Sequence, residues 1–202
     1  MAKIILQGGG EHAKVVLDSL LSQGIEVVAL FDPKYRGELF GVPQLGSYDS
    51  NFEPEAKALV AIGDNTVRKE VCGNTKHKFV NLIDQTAIVS KRAVFGLGCM
   101  VLQGTIVQAH CVIGDHVILN TGSRVDHDCI IESFVHVAPG ATLCGTVKVG
   151  EGSLIGAGAV VLPGISIGRW STVGAGSVVT HNIPDHSIAW GNPARIHQTV
   201  NR

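Results

Sequence analysis

From Ala87 to Asn182 the apolar positions of the chain fall in sixes without a break. Sixteen consecutive hexads, 96 residues, run from AIVSKR, AVFGLG and CMVLQG to STVGAG and SVVTHN with no insertion. The third place is aliphatic throughout (Val89, Val101, Val107, Ile113 and so on to Val179), with Phe95 as the one exception. The first place is mostly Ala, Cys, Ser or Thr. One large and one small inward residue per strict hexad predict a parallel β-helix whose coil is a triangular prism. Each hexad supplies a short flat strand and a corner, and residues 18 apart stack. Sixteen hexads give about 5.3 coils, a prism roughly 25 Å long at about 4.8 Å per coil.

The first 82 residues follow other periods. Lys3–Gln7 reads as a short apolar strand, and Gly8-Gly9-Gly10-Glu11-His12-Ala13 leads into an amphipathic helix with Val15, Val16, Leu20 and Leu21 on its apolar face. Further strands are predicted over Glu26–Phe31 and Ala58–Ile62. The second of these passes through Gly63-Asp64-Asn65 into a helix over 66–76, and a short strand follows near Phe79–Asn81. Alternating strands and helices predict a small parallel α/β sheet, half of a Rossmann-like unit. The chain thus divides into an α/β domain over 1–82, a β-helix over 83–182 and a C-terminal tail over 183–202.

Composition sharpens this picture. Of 25 glycines, 15 lie between Gly96 and Gly176 at hexad places four to six, where corners need backbone freedom. An aromatic share of 5% suits a narrow interior that excludes rings. Sixteen Lys and Arg against 17 Asp and Glu leave no basic excess for nucleic acid or an anionic membrane. No apolar run approaches the roughly 20 residues of a membrane helix. The N-terminus lacks the apolar stretch of a signal peptide, so a cytoplasmic location is expected. The cysteines are five, an odd number, without a CxxC pair; Cys99, Cys111 and Cys129 hold first places. They read as reduced, buried small residues.

Two groups of residues carry candidate chemistry. Gly8-x-Gly10-x-x-Ala13, with Asp32 further on, has the outline of a dinucleotide fingerprint. The α/β pattern stops after a single half, however, which suits one nucleotide with its phosphates at the helix N-terminus. Inside the repeat, polar residues gather within about one coil: Asn120, Asp126, His127, Asp128 and His136. Stacking puts Ala109 beneath His127 and Gly145 above it, leaving room for a ligand. A corner histidine beside a carboxylate has the makings of a general base. His116, His181, His186 and His197 read as surface residues.

Hexads of this type closed by Ile188-Ala189-Trp190-Gly191-Asn192-Pro193-Ala194-Arg195-Ile196 resemble the left-handed β-helix acyltransferases. The N-terminal glycine-rich loop, Val60-Ala61-Ile62-Gly63-Asp64-Asn65, Asn120-Thr121-Gly122 and Val125-Asp126-His127-Asp128-Cys129 together resemble one subgroup. That subgroup is the nucleotide-sugar N-acetyltransferases acting on 4-amino-4,6-dideoxyhexoses of the bacillosamine and perosamine type; sialic-acid O-acetyltransferases are close relatives. The resemblance covers essentially the whole chain. It implies acetyl-CoA as co-substrate, no metal, and a homotrimer with acetyl-CoA between adjacent prisms.

By position, the resemblance makes His127 the general base, Asp128 its acidic neighbour and Asn120 a polar residue near base and sugar. It puts His136 at the thioester end, Ala157 and Ala175 along the pantetheine arm, and Asn192 and Pro193 beside the coenzyme. Gly10, Glu11 and His12 match the phosphate-side loop; Asp32, Pro33 and Gly63 match the base-binding edge. Glu11 departs from the pattern, which has glycine there, and a carboxylate suits a pyrophosphate only if it points away. UDP is the favoured nucleotide, and transfer is direct, without an acyl-enzyme. Other readings stay open: a sialic-acid-type O-acetyltransferase, a zinc enzyme of carbonic-anhydrase type using His110, His127 and His136, or a scaffold that binds a nucleotide sugar without chemistry.

Overall fold

The computed structural model describes residues 3–34 and 37–199. The first unit comprises β1 (Ile4–Gln7), α1 (Glu11–Ser22), β2 (Val27–Phe31), β3 (Gly37–Leu39), β4 (Val42–Leu45), β5 (Lys57–Val60) and α2 (Asn65–Asn74). Its sheet has the order β3-β4-β2-β1-β5. Strand β1 is buried along its whole length and pairs in parallel with β2 and β5. Strand β4 joins β2 in parallel, and β3 folds back on β4 antiparallel. The sheet is therefore mixed rather than wholly parallel. Strands of three and four residues, turned through Phe40 and Gly41 at positive φ, are too short to show an alternation in the sequence.

Helix α1 buries Ala13, Val16, Leu17, Ser19 and Leu20, while Leu21 is exposed. Its apolar stripe is thus rotated from the Val15–Val16–Leu20–Leu21 face, because Ser19 turns inward to bond the buried carboxylate of Asp84 at the foot of the prism. The cap of α2 is Asp64, whose Oδ1 accepts from the Val67 amide at 2.9 Å.

The second unit consists of seventeen two-residue strands, β6 (Leu82–Ile83) to β22 (Val178–Val179). Successive strands stack in parallel 18 residues apart: Ile88 on Ile106 and Ile106 on Arg124, Val94 on Val112 and Val112 on Ile130, Met100 on Ile118 and Ile118 on His136. At the C-terminal end the step shortens to 16, with Thr172 paired to Ile188. The repeat begins one hexad before Ala87. Asn81 seats this extra hexad, accepting from the Cys99 amide at 2.9 Å and donating to the Gly96 carbonyl at 2.8 Å. First and third hexad places from Cys99 to Val179 form the continuous core. Most sixth places adopt the left-handed backbone, with glycine at eight of them and His110, His116, Asp128, Phe134, Thr146 and Trp170 at others.

On the sheet that contains Met100, Ile118 and His136, the outward places change character along the axis. Near its start, Leu82, Met100, Leu102 and Ile118 are buried in one core with Leu6, Leu17, Leu20 and Leu30 of the α/β unit. Further along, His136, Leu154 and Thr172 are only half-buried. The α/β unit thus covers the lower part of one prism face and leaves the upper part open. The tail forms β23 (Ser187–Gly191) and β24 (Ala194–Thr199), an antiparallel hairpin that extends the same sheet.

Candidate active site

The candidate residues of the prism lie along two of its edges and on one face. The first, after the strand Arg124–Val125, carries Asp126, His127 and Asp128. His127 donates from Nδ1 to Asp128 Oδ2 at 2.8 Å, and its amide binds Asp126 Oδ1 at 2.8 Å. A carboxylate only accepts, so Nδ1 holds the hydrogen and Nε2 presents its lone pair. The positive φ of Asp128 turns its carboxylate back onto the imidazole. The Asp128 hydrogen bond, then the charge of Asp126, holds the His127 pKa above its usual 6.5. Asp128 rests on Ala109 through its amide, as the 18-residue stack requires. Gly145 lies over the ring: a Cβ there would stand 2.7 Å from both Cε1 and Nε2 of His127.

A second edge follows the Ile118–Leu119 column and is turned by Gly104, Gly122, Gly140, Gly158 and Gly176, all at positive φ. Ala157 and Ala175 stand exposed beside the last two. The tail hairpin closes over this edge. Trp190 packs on Gly174, the Gly191 amide donates to Ser177 Oγ at 3.1 Å, and Asn192 and Pro193 form the exposed turn. Ala157, Ala175 and the Asn192–Pro193 turn therefore share one edge, while His127 stands on another.

Asn120 and His136 separate from His127 as well. His136 projects from the face that carries the α/β unit and bonds the Gly63 carbonyl through Nδ1 at 3.2 Å. Its Nε2 meets Asn120 Nδ2 at 3.0 Å, and Asn120 Oδ1 is taken by the Thr121 amide. The His12 ring lies 6.0 Å from His136, with its buried Nε2 unpartnered. Burial, then Arg68 and His12, push His136 down to about 4, and burial and Arg68 do the same to His12. Both rings are neutral at physiological pH. A cavity of about 480 Å³ opens here between Gly63, Asn65 and Thr66 on one side and His136, Trp170 and His186 on the other.

In the α/β unit the strand-end loops converge. Asp32 Oδ2 accepts from the Gly9 amide at 2.8 Å, and Gly8, at φ +103, lies against Ala61 and Ile62 with no space for a side chain. A smaller cavity of about 190 Å³ is lined by Gly8, Asp32, Pro33, Tyr48 and Ile62 among others. Gly10 is the N-cap of α1. The Glu11 side chain is 87% exposed and pairs with Lys14 at 2.9 Å, so it turns away from the loop.

Two residues depart from their sequence reading. His116 is buried, stacked on Phe134 at 5.1 Å and edge-on to Phe79, and bonded to the Cys72 thiol. His186 is half-buried and lines the larger cavity, whereas His197 is exposed as expected, stacked on Trp190 at 3.6 Å. Arg68, fully buried, had no signal at all: in a polar helix it looks like any solvated cation.

Comparison with known proteins follows the same two-unit division. Residues 3–75 match the family described as the PglD N-terminal domain, and residues 146–181 match the bacterial transferase hexapeptide of six repeats. The structure is similar to a histidine-to-asparagine variant of perosamine N-acetyltransferase from Caulobacter crescentus in complex with CoA and GDP-perosamine (TM-score 0.94, 38% identity, 98% of each chain). It is also similar to the acetyltransferase domain of PglB from Neisseria gonorrhoeae in complex with acetyl coenzyme A (TM-score 0.91, 35% identity, 96% of this chain and 98% of that one). UDP-N-acetylbacillosamine N-acetyltransferase of Bacillus subtilis is 40% identical over 112 residues, 50% of this chain and 52% of that enzyme. The chain thus spans about half the length of that curated relative.

Proposed function

The chain belongs to the PglD-type hexapeptide-repeat N-acetyltransferases of nucleotide sugars, and on that footing we propose that it acetylates the 4-amino group of a nucleotide-linked 4-amino-4,6-dideoxyhexose from acetyl-CoA. The observation that carries this reading is the His127–Asp128 pair, bonded at 2.8 Å through Nδ1 with Nε2 presented as a base. The neutral sugar amine attacks the thioester carbonyl carbon, and the C–S bond breaks as the C–N bond forms. His127 Nε2 takes the amine proton, which then passes to the departing thiolate. Transfer is direct; base and positioning suffice for an amine.

Acetyl-CoA lies along the glycine edge beside Ala157, Ala175, Asn192 and Pro193, with its thioester toward His136 and Asn120. The nucleotide occupies the strand-end loops of Gly10, His12, Asp32, Pro33 and Gly63, with its phosphates at the start of α1. His127 and the glycine edge stand on different edges of one prism. That separation supports a site completed between copies of the chain, in a homotrimer. The acceptor is assigned to the UDP series, the nucleotide in the name of the Bacillus relative.

The test is turnover of UDP-, GDP- and dTDP-linked 4-amino sugars with acetyl-CoA, read as free thiol. The wild-type chain turns over the UDP-linked amine, and His127→Ala loses roughly 10²–10⁴-fold. Undiminished turnover by H127A removes the base assignment, and binding without any thiol release leaves a scaffold. Preference for a GDP-linked amine moves the chain to the substrate class of the Caulobacter structure.

A further inference from the structure

We propose that Arg68 is a positioning residue, which rivets α2 to the prism and, through the Gly63 carbonyl, holds His136 as the Nδ1–H tautomer with Nε2 as acceptor. Arg68 is 0% exposed and makes no ion pair with a carboxylate among the described residues. Its guanidinium is spent on oxygen dipoles instead. Nε donates to the His116 carbonyl at 3.0 Å, Nη1 to the Ile62 and Gly63 carbonyls at 3.0 and 3.2 Å, and Nη2 to Asn65 Oδ1 and the Phe134 carbonyl, both at 2.8 Å. Five contacts use the five N–H groups of the fork. Two acceptors belong to the prism and three to the loop and helix of the α/β unit, so one planar group sets both sides of the cavity.

The Gly63 carbonyl passes this on. Its oxygen accepts from Arg68 and from His136 Nδ1, which uses both lone pairs. Because a carbonyl cannot donate, Nδ1 carries the hydrogen and Nε2 is left as an acceptor, met by Asn120 Nδ2. The charged and titratable groups around the His136 ring are Arg68 and Asp64 from the α2 side, His12 from α1, and His186 across the cavity. Asp64 is engaged at the α2 N-cap, so the buried cation faces two imidazoles and opposes a proton on either. A buried charge kept by dipoles alone is costly compared with an apolar side chain of similar size. Here it also determines the state of His136.

The inference rests on the proposed function only in assigning His136 to the thioester end of acetyl-CoA. Its test is ¹⁵N NMR of labelled imidazoles in the full-length chain, with the His136 signals identified by their loss in His136→Asn. The wild type shows a single Nδ1–H tautomer, neutral down to low pH. In Arg68→Gln the tautomers mix and the His136 pKa rises by about 1. In Arg68→Lys the tautomers mix while the pKa stays low, which separates the fork from the charge. In both variants KM for acetyl-CoA rises several-fold more than KM for the nucleotide sugar. The wild-type tautomer ratio in whichever variant folds overturns the proposal. Mixed tautomers with unchanged acetyl-CoA kinetics uphold it and remove His136 from the thioester end.

Discussion

At the scale of single residues, the chemistry turns on hydrogens that only one atom can carry. Asp128 obliges His127 to keep its hydrogen on Nδ1 and raises the imidazole's proton affinity. A general base works only when unprotonated, so kcat/KM rises with pH through a limb above 6.5, the ordinary histidine value. Replacing Asp128 by Asn lowers the His127 pKa; the limb moves to lower pH, and the plateau falls by about tenfold or more as the tautomer is released. A pH–rate profile with an unmoved limb would count against the pairing. The sequence had Gly145 above His127, and the fit is close: a methyl group there would meet the imidazole itself.

At the scale of elements, the prism is a one-dimensional structure in which each strand answers to the strands 18 residues before and after. Leu143 is fully buried between Val125 and Val161 in successive coils. Leu143→Ala leaves a cavity that a stack of flat strands closes poorly, and costs about 2–5 kcal/mol in urea denaturation. Thr142→Ala, one residue away on the outer face, changes stability by about 0.5 kcal/mol or less. Equal losses at the two positions would mean that the inward and outward places are misassigned. The hexad also explains where sequence reading fell short among elements. A repeat of sixteen units averages out single exceptions, whereas the β3–β4 hairpin has only a few residues in which to declare itself.

At the scale of the whole molecule, the α/β unit and the prism share a buried seam that holds two neutral imidazoles beside a cation. The unfolded chain takes up protons at His12 and His136 near pH 6.5, while the folded chain resists them to about 4. Stability is therefore complete above pH 6.5 and drains as pH falls toward 4, by an amount of the order of a few kcal/mol. Thermal melting at pH 7, 5.5 and 4 measures the fall, and His136→Asn makes it smaller. A melting temperature flat across that window would show that the seam admits protons freely.

The sequence by itself determined the prism, its 18-residue register, the glycine-rich corners and the place of His127 beside Asp128. All of these depend on residues adjacent in the chain or 18 apart, and a periodic pattern states such relations directly. Periodicity also says which side chains point outward, but not which outward face another unit will cover. Tertiary structure decided that. Docking of the α/β unit buries Met100 and Ile118 on one face, draws Arg68 and His116 out of solvent, and ties His136 to Gly63. Asn120 and His136 share a coil with His127 but not an edge, and that separation follows from their hexad places rather than from docking. The physical reason docking lies beyond the sequence is that the three faces of the prism repeat alike. Only contact with a second unit distinguishes one face from the others.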